Sequence, residues 1–200
     1  MCVAPRMLLG WGMKMKEIEI LVQIYNDEKT VLDCLEQFEF MGNKRTIDTY
    51  YTDPLRNDLK PDSNGRLTAC FRTRQKDGKN YITYKKDHFN GDKWLYSDES
   101  ETIVDSMETM EDIIKSLGLV QLLKIDNSKQ TYKHKDYVIE FESVKDLGLF
   151  LEVEFCTDDD VDVIEIKSEI QKFIDSLGIQ VSKELNAGKP ELMLRKQTLN

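Results

Sequence analysis

Two stretches of this 200-residue chain set acids at alternate positions, Glu17-Ile18-Glu19 and Glu152-Val153-Glu154. In a strand, side chains i and i+2 share a face. Glu17 and Glu19 therefore form one carboxylate pair and Glu152 and Glu154 another. Ile18 and Ile20, and Leu151, Val153 and Phe155, fall on the opposite, apolar faces. Four converging carboxylates repel one another unless cations sit between them, and hard divalent cations such as Mg2+ or Mn2+ take oxygen ligands. Basic residues obey the same parity: Arg72 and Arg74 share a face opposite Phe71 and Thr73, Lys85 shares one with Thr83, and Lys124 stands opposite Leu123 and Ile125. Guanidinium forks and ammonium point charges suit phosphate oxygens. On one strand such a face is most simply a solvated surface. Repeated on several strands, it points to one cavity in which carboxylates hold metal and cations hold a polyanion.

The elements that must position these residues are mostly strands. Residues 15–25 alternate charged and apolar side chains, and further strand patterns fall at 44–52, 66–75, 79–86, 92–103, 119–126, 129–134, 137–143 and 148–156. Asn64-Gly65, Asp77-Gly78 and Asn90-Gly91 supply the positive φ of tight turns and read as hairpins. A helix is expected over 27–38 with Asn26 as its N-cap. Two more are expected over 107–117, after Ser106, and over 160–177, both ending in Ser-Leu-Gly, and a short one follows Pro190. The run Asp158-Asp159-Asp160 suits the positive end of the third helix. Many strands joined by short turns, with few helices, predict an α+β fold: a closed or nearly closed antiparallel β-barrel of about eight strands with helices packed outside. Residues 1–13 read as an N-terminal extension and 14–200 as a single barrel domain.

Composition narrows the partners. With 37 acidic against 28 basic residues the net charge is -9, which argues against a nucleic-acid binder or adhesion to an anionic membrane. It leaves room for a small polyanion held by a local basic cluster. The cysteines, Cys2, Cys34, Cys70 and Cys156, form no C-x-x-C pair and only two histidines exist, so zinc is disfavoured. No apolar run approaches the ~20 residues of a membrane span, and the first residues lack the long apolar core of a signal peptide. A cytoplasmic protein is expected, and a homodimer is left open.

The order Glu17-x-Glu19, Asp48-Thr49-Tyr50-Tyr51, Arg72-x-Arg74, Thr83-Tyr84-Lys85, Glu99-x-Glu101, Leu117-Gly118, Lys124 and Val144-Lys145-Asp146-Leu147-Gly148-Leu149-Phe150-Leu151-Glu152-Val153-Glu154 resembles the CYTH superfamily, over about residues 15–195. The resemblance implies a triphosphate tunnel barrel. Glu17, Glu19, Glu152 and Glu154 would hold Mg2+ or Mn2+; Arg72, Arg74, Lys85, Lys124 and Lys129 would bind substrate; Lys85 and Lys124 would be catalytic. The Tyr50-Tyr51 strand and the Lys85 context look closest to class IV adenylate cyclases, which convert ATP to cyclic AMP and pyrophosphate. Hydrolysis of an inorganic or organic triphosphate and a non-catalytic nucleotide- or polyphosphate-binding module are the alternatives. Three positions depart from the family pattern. Leu21 stands where Glu-x-Glu-x-Lys has its lysine, Lys124-Ile125-Asp126 where the family has Lys-x-Arg, and Glu142 where an Asp is common. Lys129 or Lys86 could restore a lost positive charge.

Overall fold

The computed structural model describes residues 15–198; the extension read at 1–13 lies outside the described residues. Among the described residues there are eight strands: β1 (Met15–Gln23), β2 (Glu39–Thr52), β3 (Ala69–Lys76), β4 (Lys79–Asn90), β5 (Lys93–Val104), β6 (Val120–His134), β7 (Tyr137–Val144) and β8 (Gly148–Thr157). Four helices accompany them: α1 (Glu28–Leu35), α2 (Met107–Ser116), α3 (Val163–Ser176) and α4 (Lys189–Thr198). The strands form a closed antiparallel barrel in the order β1-β5-β4-β3-β2-β6-β7-β8, with β8 pairing back onto β1.

The barrel wall turns its apolar faces outward. Ile18, Ile20 and Val22 of β1, Ile139 and Phe141 of β7, and Leu151 and Val153 of β8 pack under α1 and α3 through Val31, Leu35, Ile170 and Ile174. Each such buried aliphatic side chain contributes roughly 1.5–3 kcal/mol. With those rows committed to the outer core, the alternating charged rows can only face the lumen. The two Glu-x-Glu strands lie side by side, with Glu19 opposite Glu154.

A second apolar layer closes one end of the barrel. Leu21, Tyr50, Leu123, Ile125, Val144 and Phe150 pack against Met193 of α4. Leu21 therefore faces inward, as the lysine it replaces would, but it belongs to this end layer.

Local chemistry accounts for the boundaries. Asp77 (φ 49) and Gly78 (φ 70) make the two-residue β3–β4 turn. Asn64-Gly65, expected as a hairpin, instead forms a turn within the loop before β3, where the Asp62 carboxylate accepts from the N–H groups of Asn64 and Arg66. The strands expected at 119–126 and 129–134 are one, β6, because Asn127 stays in the ladder opposite Thr46 and Val144. The cap of α1 is Asp27, which accepts from Thr30 N–H at 3.0 Å, not Asn26. Asp162 caps α3, so the Asp158–Asp160 run precedes the helix. Gly118 (φ 86) and Gly178 (φ 70) end α2 and α3 in the left-handed conformation expected of them.

α4 is anchored by Glu191, whose buried carboxylate accepts from Leu67 N–H at 3.1 Å and from Gly188 N–H at the helix start. Burial pushes this carboxyl from 4.5 up to about 7, against the pull of those two bonds. The folded chain thus holds the proton more tightly than the unfolded chain. This contribution to stability is full below about 4.5 and is lost as pH rises through about 7. The urea midpoint should fall across that window, and fall less in Glu191→Gln.

Candidate functional site

Three neighbouring strands line one side of the lumen with acids. Glu17 and Glu19 come from β1, Glu152 and Glu154 from β8, and Glu140 and Glu142 from β7, with Glu140 opposite Glu152. None of the six is more than 6% exposed. Facing them are Arg72 and Arg74 of β3, Lys85 of β4, Lys129 of β6 and Lys189 at the start of α4.

The opposed charges are closely paired. Lys85 Nζ lies 2.5 Å from Glu17 Oε2 and 3.0 Å from Glu19 Oε1. Lys129 Nζ lies 2.5 Å from Glu142 Oε1 and also pairs with Glu140. Arg74 makes a two-pronged bond to Asp48, 2.7 Å on each prong. Burial alone would raise the Asp48 carboxyl, but the Arg74 guanidinium holds it down at about 2. Burial drives Glu19 up to about 8; Lys85 opposes the shift, and the neighbouring Glu152 and Glu17 add to it.

Two features mark where ligands fit. Arg72 donates to Tyr50 Oη at 3.3 Å and lies 3.6 Å from Glu99 Oε2, yet its Nε is buried with no hydrogen-bond partner among the described residues. An unmatched buried donor on a guanidinium suits an anion oxygen. On the acidic side, Glu19, Glu152 and Glu154, and separately Glu140, Glu142 and Glu152, each bring one oxygen per residue within 4.8 Å of the others. Among the described residues, Glu154 Oε2 is buried without a hydrogen-bond partner. All-oxygen donor sets of this kind fit Mg2+ or Mn2+.

Glu17, Glu19, Glu152, Glu154, Arg72, Arg74, Lys85 and Lys129 thus meet in the lumen as expected. Lys124 does not: it is exposed on the outer wall. The inward row of β6 is Leu123, Ile125, Asn127, Lys129 and Thr131, so Lys124 and Asp126 share the outer face. Asp126 pairs there with Arg45, 2.6 Å apart, and its negative charge does not enter the lumen. Lys86 likewise has the parity opposite to Lys85. Glu99 lines the lumen, and half-buried Glu101 accepts from Thr83 Oγ1 at 2.9 Å.

Sequence reasoning missed Glu140, Lys44 (which pairs with Glu140) and Lys189. Glu140-Phe141-Glu142 is a further Glu-x-Glu on an expected strand and could have been found by the same rule. Lys189 carries no periodic signal, because a helix terminus rather than a strand delivers it.

Eight antiparallel strands closed around a lumen of buried acids facing buried bases define the tunnel-barrel class. The chain belongs to the CYTH domain family, whose model matches residues 13–186. A Methanocaldococcus jannaschii protein named as a candidate adenylate cyclase is 30% identical over 184 residues, covering 90% of this chain and 99% of that one. The PH1819 protein of Pyrococcus horikoshii superposes with a TM-score of 0.73 at 22% identity, over 89% of this chain and 99% of its own. A candidate adenylyl cyclase of Hippeastrum, described as having a dominant triphosphatase activity, does so with a TM-score of 0.64 at 14% identity, over 91% and 96%. At these identities the two structures show a shared fold. Members of the CYTH family act on triphosphates and depend on metal ions. No helix among the described residues is long and apolar enough to cross a membrane.

Proposed function

We propose that the lumen binds a metal-complexed triphosphate and converts it, with cyclisation of ATP to cyclic AMP and pyrophosphate as the first reading. The observation that carries the proposal is the facing of the six buried carboxylates by Arg72, Arg74, Lys85 and Lys129, with the Arg72 Nε unmatched among the described residues. Glu17, Glu19, Glu152 and Glu154 would hold Mg2+ or Mn2+, which when bound supplies Lewis-acid activation of an attacking oxygen and charge neutralisation. The chain's own groups position and neutralise. Arg74, locked by Asp48, presents a fixed edge to the polyphosphate, while Arg72 offers its Nε and Lys85 a point charge. In the cyclase reading the ribose 3′-hydroxyl attacks the α-phosphorus and pyrophosphate leaves. The relative from M. jannaschii supports this version.

Hydrolysis of the terminal phosphate is the second reading. The Hippeastrum neighbour's triphosphatase activity favours it, and so does a lumen lined mostly by charged groups, with Trp94 and Tyr50 its aromatic members. Incubation with ATP, and separately with tripolyphosphate, under Mn2+ separates the cases. Cyclic AMP with pyrophosphate supports the cyclase, and orthophosphate supports the hydrolase. Binding by calorimetry with no product would reduce the protein to a binding module, and no binding of either would sink the proposal.

Lys85→Met removes the ammonium that bridges Glu17 and Glu19 and faces the phosphates. A lost charge-assisted bond of roughly 1.5–3 kcal/mol should weaken tripolyphosphate binding by about tenfold or more, read by calorimetry at saturating Mn2+.

A further inference from the structure

α4 begins at Lys189, and this side chain reaches back into the lumen. Its Nζ lies 2.8 Å from Glu142 Oε2 and pairs with Glu152 Oε2. Lys129 Nζ covers the other oxygens of the same two residues, at 2.5 Å from Glu142 Oε1 and 3.7 Å from Glu152 Oε1. Both carboxylates are therefore neutralised by protein ammonium groups. Yet Glu142 and Glu152 belong to a carboxylate group tight enough to hold a cation. Glu152 also belongs to the adjoining group, in which Glu154 Oε2 is buried without a hydrogen-bond partner among the described residues.

The ammonium of Lys189 thus sits on oxygens that a divalent cation would take. The open cavity between the charged walls is about 70 Å³, so an entering ion and polyanion must use space and ligands that lysines now hold. A divalent cation on Glu142 and Glu152 would repel the ammonium beside it. A lysine head turns on four rotatable carbons, while Glu191 two residues on keeps the start of α4 fixed. Once released, the ammonium remains inside the lumen, and phosphate oxygens are the anions that would enter with the metal.

We propose that Lys189 is a built-in counter-ion, held by Glu142 and Glu152 in the metal-free barrel, displaced by the divalent cation, and then paired with the triphosphate. The proposal rests on the reading of the lumen as a metal–triphosphate site. It makes Lys189 oppose metal binding alone and favour binding of metal and polyanion together. Such coupling is reciprocal and typically amounts to roughly 5–150-fold.

The test is calorimetry on the full chain and on Lys189→Gln, which keeps N–H donors for the two carboxylates. Mn2+ is titrated alone, and tripolyphosphate is then titrated at saturating Mn2+. Lys189→Gln should bind Mn2+ alone about tenfold more tightly and tripolyphosphate about tenfold more weakly. Unchanged or weaker Mn2+ binding overturns the proposal. Lys189→Met, which leaves the acids unmatched, should lose stability in metal-free buffer and regain it with Mn2+. If it stays unfolded at saturating Mn2+, the metal does not take the lysine's place and the proposal falls. If the wild-type chain binds neither Mn2+ nor tripolyphosphate, the reading of the lumen fails together with this inference. If it binds both and Lys189→Gln behaves identically, this inference fails alone.

Discussion

Arg74→Met should lower the melting temperature by roughly 6–20 °C. The guanidinium and Asp48 are 7% and 4% exposed and are joined by two 2.7 Å bonds. Without Arg74 the buried Asp48 carboxylate keeps a weaker partner in Arg72, 3.8 Å away; loss of one partner of a buried pair costs about 3–5 kcal/mol, and each kcal/mol moves the transition of a chain this size by about 2–4 °C. The double variant Arg74→Met with Asp48→Asn should recover part of the loss, because the stranded charge is gone. Asp48 also gives the pH signature of the pair. Its folded value is depressed from 3.8 to about 2, so its contribution is present above about 4 and is lost as pH falls through about 2. The acid limb of the stability curve should flatten in the double variant. A single variant that melts with the wild type would show that the pair contributes nothing to the barrel.

Glu152→Gln should cut turnover by at least about 100-fold, whichever triphosphate reaction the lumen performs. Glu152 is the member shared by the two carboxylate groups, and it faces Glu140 across the β7–β8 ladder. Loss of groups that merely support metal ligands costs about 10–100-fold, and a shared ligand should cost more. The fold should survive, because Lys129 keeps Glu140 and Glu142 and Lys189 keeps Glu142. Initial rates on ATP and on tripolyphosphate under Mn2+ would measure the effect, with Glu108→Gln on the exposed side of α2 as the control. Equal rates in the two variants would remove Glu152 from the site.

The barrel was legible because one rule, the period of two, governs both of its faces. Ile18 and Ile20 beside Glu17 and Glu19, and Leu151 and Val153 beside Glu152 and Glu154, told which rows must go under helices and which must go inside. On β6 the break expected near residue 127 does not occur, and the continuous inward row Ile125–Asn127–Lys129 puts Lys124 and Asp126 on the outer wall. The family pattern marked Leu21 as a lost cation. The structure adds that the inward row of β1 passes from charge to apolar packing there, against Phe150 and Met193. Only tertiary structure reveals that change, since it depends on where α4 caps the barrel. Lys189 was invisible for the same reason.

The closing seam has a consequence for how the chain is made. β1 is synthesised early, yet both of its partners, β5 and β8, come far later in the chain. Until β8 emerges, the row Ile18, Ile20 and Val22 has no strand opposite it and no α3 to cover it. Pairings between distant segments are slow to form and leave edges exposed in the meantime. A nascent or truncated chain that stops before Gly148 has β5 on the start of β1 alone and leaves Ile18, Ile20 and Val22 without their β8 partners, an oily stripe that is a natural target for a holding chaperone and a place from which the protein would aggregate.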